Sequence, residues 1–131
     1  MKLINNKKNY VCYVQSKRFG PYYLPVRFQY LIQRDYLANI KKPFILPQGE
    51  PVFSKTSIRL RSLVYKMSED DNLILISVFM LPAENDIRKN LLKTIIKKKI
   101  KIHCIFENII AKNKMEILNL NKRFKLNKIL E

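Results

Sequence analysis

The chain has 131 residues, of which 47% are hydrophobic and 27% charged, and its formal net charge at pH 7 is +16. This length suits one domain with a single core, and the apolar fraction argues against a wholly disordered chain. Two cysteines exclude a disulfide scaffold, and no apolar run reaches the roughly 18 residues that a membrane span needs.

The N-terminal third predicts two strands and one helix. Residues 9–16 are rich in β-branched and aromatic side chains, which is typical of a buried strand. Pro25 suits the first position of a helix, and helical spacing extends this helix to about Ile40 with one apolar stripe facing the core. The stripe consists of Phe28, Leu31, Ile32, Tyr36 and Ile40. Residues 44–46 predict a short second strand.

The rest of the chain predicts two further strands and three further helices. An amphipathic pattern over 56–67 predicts the second helix, and the apolar run 73–79 predicts a strand covered by helices on both faces. A third helix ends at the lysines 97–99, whose charges complement the helix dipole. Residues 100–106 predict the fourth strand, and the tail after Asn108 predicts a last helix.

This alternation predicts the α/β class: a single three-layer Rossmann-like domain, with about four mostly parallel strands and helices on both faces. We expect the domain to span residues 10–121, between a flexible basic N-terminus (1–9) and a fraying C-terminal tail (122–131). Residues 1–9 lack the apolar stretch and cleavage site of a signal peptide, so the expected location is cytoplasmic.

Polar residues follow the predicted strands at their carboxyl ends, where open α/β sheets bind ligands. Ser16, Glu50 and Glu107 are therefore expected at one rim, with Arg34 and Asp35 as supports from the first helix. One hydroxyl and two carboxylates are suited to binding a sugar or to acid–base chemistry. The alternative is that these side chains cap helices and close loops.

Three other features bear on where chemistry could occur. His103, the only histidine, is either a catalytic base or a hydrogen-bonded structural group. Arg18 adjoins an aromatic cluster at 19–23 that resembles a stacking surface for a base or sugar ring, or else packs on the sheet edge. Cys12 and Cys104 are expected to be core residues, and no metal or cofactor is predicted.

The charge permits two interpretations. A balance of +16 is typical of proteins that bind nucleic acid or anionic membranes. However, 19 of the 26 basic residues are lysine, whereas sites that grip phosphates in a fixed geometry tend to use arginine. The surplus of Lys, Asn and Ile also fits the codon bias of an AT-rich genome.

Four segments carry a resemblance to a known family. They are Tyr-Val-Gln-Ser-Lys at 13–17, the string around Arg-Asp-Tyr at 25–36, Ser-Val-Phe-Met-Leu-Pro at 77–82 with Arg88, and the pairs Ile-His at 102–103 and Phe-Glu at 106–107. Together with Glu50, they resemble the sporadic carbohydrate cluster proteins, small bacterial proteins encoded among genes for surface polysaccharide synthesis. The match covers about residues 10–120, with Leu37 and Lys17 departing from the family pattern.

The element order, with Ser16 closing the first strand, also resembles the catalytic domain of resolvase-type serine recombinases. Those enzymes carry an arginine two residues before the serine, where this chain has Val14, and more arginines after the third strand. Only the fold analogy is carried over.

The family resemblance implies an accessory protein or enzyme of bacterial surface carbohydrate biosynthesis (lipopolysaccharide, O-antigen or capsule). Its catalytic candidates are Ser16, Glu50, His103 and Glu107, and its binding candidates are Arg18, Arg34, Asp35 and Arg88. The expected ligand is a sugar or nucleotide sugar. The alternatives are a non-catalytic module that docks on glycosyltransferases or a membrane surface, and a nucleic-acid-binding domain without the catalytic arginines.

Overall fold

A four-stranded sheet organises residues 9–46 and 57–130, the part of the chain that the structure, a computed structural model, describes. Its strands lie in the order β1-β2-β3-β4. They are β1 (Tyr10–Cys12), β2 (Asn72–Leu75), β3 (Lys101–Cys104) and β4 (Ile109–Ala111). The first three strands are parallel, and β4 is antiparallel to β3. The prediction of a single α/β domain with a mostly parallel four-stranded sheet is confirmed.

Helices cover both faces of this sheet. They are α1 (Val26–Asn39), α2 (Ile58–Lys66), α3 (Asn85–Lys97) and α4 (Lys114–Leu130), with one 3-10 turn at Val78–Met80. Leu37 of α1 packs with Cys12 and Ile74 on one face. The larger cluster on the other face joins β2 to the remaining helices through Leu60, Leu92, Phe124 and their neighbours. Because both faces are covered, all four residues of β2 are buried, as a central parallel strand requires.

Several predicted elements are wrong in detail. Residues 44–46 form no strand, and Ile45 and Leu46 are exposed. The strand predicted over 73–79 ends at Leu75, because the chain turns at Ser77 into the 3-10 turn. The tail forms β4 before its helix, so the sheet has an antiparallel edge strand in place of a fourth parallel strand.

The inward face of α1 agrees with the prediction only in part, since Ile32 and Tyr36 pack half-buried against the core but the fully buried positions differ. Its buried residues are Gln29, Gln33 and Leu37. Phe28 and Leu31, expected in the core, are 48% and 56% exposed. A helix normally buries its apolar stripe, so specific contacts must hold the glutamines inward.

Polar contacts fix the ends of the elements. Lys98, which follows α3, donates from Nζ to the carbonyl oxygens of Val64, Tyr65 and Met67 at 2.5–3.0 Å. It therefore occupies acceptors at the C-terminus of α2, where a positive charge is favourable. The last helix is continuous to Leu130, and Phe124 lies in the core. The N-terminal residues 1–8 lie outside the described part of the chain.

Candidate functional site

The carboxyl ends of β1, β2 and β3 meet at one edge of the sheet, because these strands are parallel. We call this edge the rim; its loops begin at Tyr13 after β1, at Ile76 after β2 and at Ile105 after β3. The backbone N–H of Phe106 donates to the carbonyl oxygen of Ile76 at 2.8 Å, which fixes the last two loops to each other.

Glu107 is held at the rim by two hydrogen bonds. Its Oε2 accepts from the hydroxyl of Ser77 at 2.7 Å, and its Oε1 accepts from the backbone N–H of Val78 at 3.0 Å. Ser77 is fully buried, and its oxygen also accepts from the N–H of Phe79 at the start of the 3-10 turn. Glu107 as a residue is half-buried, and the two bonds fix its carboxylate as a hydrogen-bond acceptor at the rim.

A tight turn brings the loop after β1 onto the same rim. Phe19 and Tyr22 exchange backbone hydrogen bonds of 2.9 and 3.0 Å, and Phe19 is buried. Gly20 lies between them at φ +61°, and a Cβ added there would come within 2.5 Å of the ring of Phe79. Glycine is therefore required both by the backbone conformation and by this close approach.

The turn completes an aromatic cluster at the rim. The ring of Tyr22 lies 4.9 Å from that of Phe106 in an edge-to-face arrangement and 6.2 Å from that of Phe79. Phe106 is 39% exposed, and the next residue in the chain is Glu107. The loop after β3 thus carries an accessible aromatic residue followed by a fixed hydrogen-bond acceptor.

Two glutamines of α1 bind the backbone where β1 enters its loop. Gln29 accepts from the N–H of Gln15 at 3.1 Å and donates to the carbonyl oxygens of Gln15 and Leu24 at 2.7 and 2.8 Å. Gln33 donates to the carbonyl oxygen of Tyr13 at 2.8 Å, and its own Oε1 is buried with no hydrogen-bond partner among the residues that the structure describes. These amides pair polar backbone groups at the end of a strand, which an apolar helix face would leave unpaired.

His103 lies in a buried hydrogen-bonded group on the α1 face of the sheet. Its Nε2–H donates to Oδ1 of Asn72 at 2.8 Å, and its Nδ1 accepts from the hydroxyl of Tyr36 at 2.6 Å. Burial, reinforced by Lys101 and Lys112, lowers the pKa of His103 from 6.5 to about 4. Burial also raises the pKa of Tyr36, so both groups stay neutral at pH 7.

The remaining exposed candidates within the described residues lie in the loop after β1 and on α1. Ser16 and Arg18 are exposed in the loop after β1. Arg34 is exposed on α1 with its guanidinium 5.3 Å from the ring centroid of Phe44, and Asp35 beside it is exposed. Glu50 lies outside the described residues.

Arg88 is buried and acts as a tie between elements. Its guanidinium donates to the carbonyl oxygens of Pro82 and Ala83, to Asn85 and, at 2.7 Å, to Oδ1 of Asn121 on α4. It also stacks 4.2 Å from the ring centroid of Phe124. These contacts occupy the donors of Arg88 inside the fold, so they indicate a structural role for this residue and not the predicted binding role.

Neither cysteine is placed for chemistry at the rim. Both are buried free thiols, and burial raises the pKa of Cys12 to about 12 and that of Cys104 still further from the usual value. Within residues 9–46 and 57–130, no three His, Cys, Asp or Glu side chains come close enough to hold a metal ion.

Sequence reasoning brought Glu107 to the rim but missed Ser77 as its partner. The sequence contains one signal for this role, because Ser77 carries the single hydroxyl in the apolar run 73–81. A polar side chain buried in such a run is expected to have a hydrogen-bond partner. Gln29 and Gln33 were missed as well, although glutamines four residues apart share one helix face.

Comparison with protein-family models, with curated proteins and with solved structures finds no match for this chain. The helices described here include none that is both long enough and apolar enough to cross a membrane.

Proposed function

We propose that the protein binds a sugar or nucleotide sugar at the rim, as an accessory protein or enzyme of bacterial surface carbohydrate biosynthesis. The observation that carries this proposal is the fixed carboxylate of Glu107 in the same loop as the accessible side chain of Phe106. The biosynthetic context rests on the family resemblance of the sequence.

The two groups suit the two chemistries of a sugar. Sugar hydroxyls donate hydrogen bonds, and a carboxylate already oriented by Ser77 and Val78 can accept them without paying a further cost for ordering its side chain. The apolar C–H face of a pyranose packs on an aromatic ring, which Phe106 and its neighbour Tyr22 offer. Few polar groups beside an aromatic wall are typical of small-molecule sites.

The diphosphate of a nucleotide sugar requires a cation near the same place. Arg18 is exposed in the loop that Phe19 and Gly20 fix onto the rim. A guanidinium binds two phosphate oxygens at once, so Arg18 is the group that we assign to a diphosphate. A free sugar without phosphate would lose this contact and bind more weakly.

Binding is favoured over a mechanism that uses His103 as a base. Both of its ring nitrogens are engaged by Asn72 and Tyr36, and its low pKa makes it a poor proton acceptor at neutral pH. An enzymatic role would therefore depend on residues other than His103.

The test is a titration of the full chain with UDP-glucose, UDP and glucose, followed by amide NMR shifts. We expect UDP-glucose to shift the amides of Ser77, Phe106 and Glu107, and glucose alone to shift them only at higher concentration. Replacing Phe106→Ala should weaken binding about fivefold, because an aromatic contact contributes roughly 1 kcal/mol.

The matched control is Ile110→Ala on β4, a side chain of similar exposure away from the rim, at 41% against 39%. This variant should bind as the unchanged chain does. Absence of shifts at the rim with all three compounds, or an equal effect of the two variants, would contradict the proposal.

A further inference from the structure

The exposed face of α1 carries large apolar side chains together with cations. Phe28 and Leu31 are 48% and 56% exposed on this face, and Arg27 and Arg34 flank them. A soluble surface usually scatters such apolar residues singly, so a contiguous group beside cations indicates an interaction site.

The helix cannot rotate to bury this face. Gln29 and Gln33, on the opposite side, are fully buried and are hydrogen-bonded to the backbone at the end of β1. Turning α1 inward on Phe28 and Leu31 would break those bonds and leave buried carbonyl groups unpaired. The exposure of Phe28 and Leu31 is therefore a fixed property of the fold.

The segment after α1 contacts this helix through one residue. Phe44 lies beside α1, with its ring 6.4 Å from that of Tyr30 and under the guanidinium of Arg34. Ile45 and Leu46, which follow it, line a cavity with residues of β1 and α2 and belong to a different surface. We call the group formed by Phe28 and Leu31 with Arg27 and Arg34 the α1 surface.

The charges of the α1 surface define its partner. Its two cations, Arg27 and Arg34, are accompanied on α1 by one acidic residue, Asp35. Apolar side chains between arginines match the interface of an anionic bilayer, where apolar groups enter the acyl boundary and cations meet phosphate headgroups. A nucleic acid offers no acyl layer for Phe28 and Leu31.

We propose that the α1 surface docks the protein on anionic phospholipid membranes. This goes beyond sugar binding, because it uses a different surface of the domain. It also differs from a membrane contact through α3, whose outer lysines, Lys89 and Lys93, are not accompanied by exposed large apolar residues of that helix.

The experiment is co-sedimentation of the full chain with vesicles of phosphatidylcholine, with and without phosphatidylglycerol. We expect binding only when phosphatidylglycerol is present. Replacing both Arg27→Gln and Arg34→Gln should weaken partition about 30-fold, since each cation at an anionic surface contributes about 1 kcal/mol. Replacing both Phe28→Ser and Leu31→Ser should weaken it at least tenfold.

Two matched double variants serve as controls. Met115→Ser with Leu118→Ser removes exposed apolar groups from α4, and Lys89→Gln with Lys93→Gln removes two cations from α3. Both should keep partition within about threefold of the unchanged chain. Thermal unfolding of every variant establishes that the fold is retained.

Four results would overturn the proposal. They are equal binding to phosphatidylcholine alone, an equal loss in the α1 and control variants, a loss confined to the α4 variant, and a dimer that Phe28→Ser with Leu31→Ser dissociates. The last result, read by sedimentation velocity, would assign the α1 surface to a second copy of the chain. None of these outcomes depends on whether the rim binds sugars.

Discussion

Protonation of His103 should destabilise the fold by an amount that can be measured separately from all other titrations. The ring is buried between Asn72 and Tyr36 as a neutral group. A second proton would give it a positive charge, which burial and the positive charges of Lys101 and Lys112 disfavour.

The size of the effect follows from the difference in proton affinity between the folded and unfolded chain. The pKa of His103 is about 4 when folded and about 6.5 when unfolded. Because the folded pKa is the lower, this contribution to stability is complete above pH 6.5 and is lost as the pH falls toward 4. At about 1.4 kcal/mol for each tenfold change in affinity, the full loss is about 3 kcal/mol.

The assay compares urea unfolding of the unchanged chain and of His103→Gln at about pH 7.5 and pH 4.5. A glutamine amide can donate to Asn72 and accept from Tyr36, but it does not titrate in this range. The unchanged chain should therefore lose about 2–3 kcal/mol more than the variant between the two pH values.

NMR gives an independent reading, because the chain contains one histidine and its ring signal is unambiguous. The reasoning is refuted if that signal titrates near 6.5 in the folded chain. It is also refuted if both proteins lose the same free energy of unfolding on acidification.

Three further predictions concern the rim and the core. Gly20→Ala should lower the free energy of unfolding by about 2–4 kcal/mol in chemical denaturation, because it adds a left-handed backbone penalty to a steric clash. Gln29→Leu should lower the free energy of unfolding in chemical denaturation by about 1–3 kcal/mol more than Gln33→Leu does. The reason is that Gln29 bonds three backbone groups, whereas Oε1 of Gln33 has no partner among the described residues. Equal losses in the two variants would contradict this. Cys12 and Cys104 should resist Ellman's reagent at about pH 8 until the chain is unfolded, and rapid labelling of the native protein would contradict their burial.

Strong local patterns predicted the central part of the fold. The apolar run that begins at Leu73 marks β2, and the lysines after α3 mark the end of that helix. These signals are reliable because a strand buried on both faces needs consecutive apolar residues, and a helix C-terminus favours cations.

The orientation of α1 could not be obtained from its pattern. Hydrophobic periodicity predicts that Phe28 and Leu31 are buried, because it does not consider backbone groups elsewhere that need hydrogen-bond partners. The decisive interactions, between Gln29 and the backbone of Gln15, become visible only when the strand and helix are placed together.

The short elements were the other source of error. β4 has three residues, and its antiparallel pairing depends on the tight turn at 105–108, where Asn108 adopts φ +57°. Conversely, residues 44–46 have strand-like composition but form no strand, and Phe44 lies beside α1. Three-residue apolar strings carry too little information to separate these outcomes.

The candidate site was partly predictable. The rule that ligands bind at the carboxyl ends of parallel strands is enough to predict Glu107 at the rim. Its fixation by Ser77 depends on the register of β2 and β3, which the sequence of either strand does not contain.

The pairing of β1 has a consequence for how the chain folds. Asn9 bonds Asn72 across 63 positions of sequence, whereas β2, α3, β3 and β4 follow one another over about forty residues. Closing the longer loop carries the larger entropy cost, so the C-terminal unit should assemble first and β1 with α1 should add afterwards. Amide hydrogens of β2 and β3 should then outlast those of α1 in exchange, making the N-terminal half the part that opens most readily.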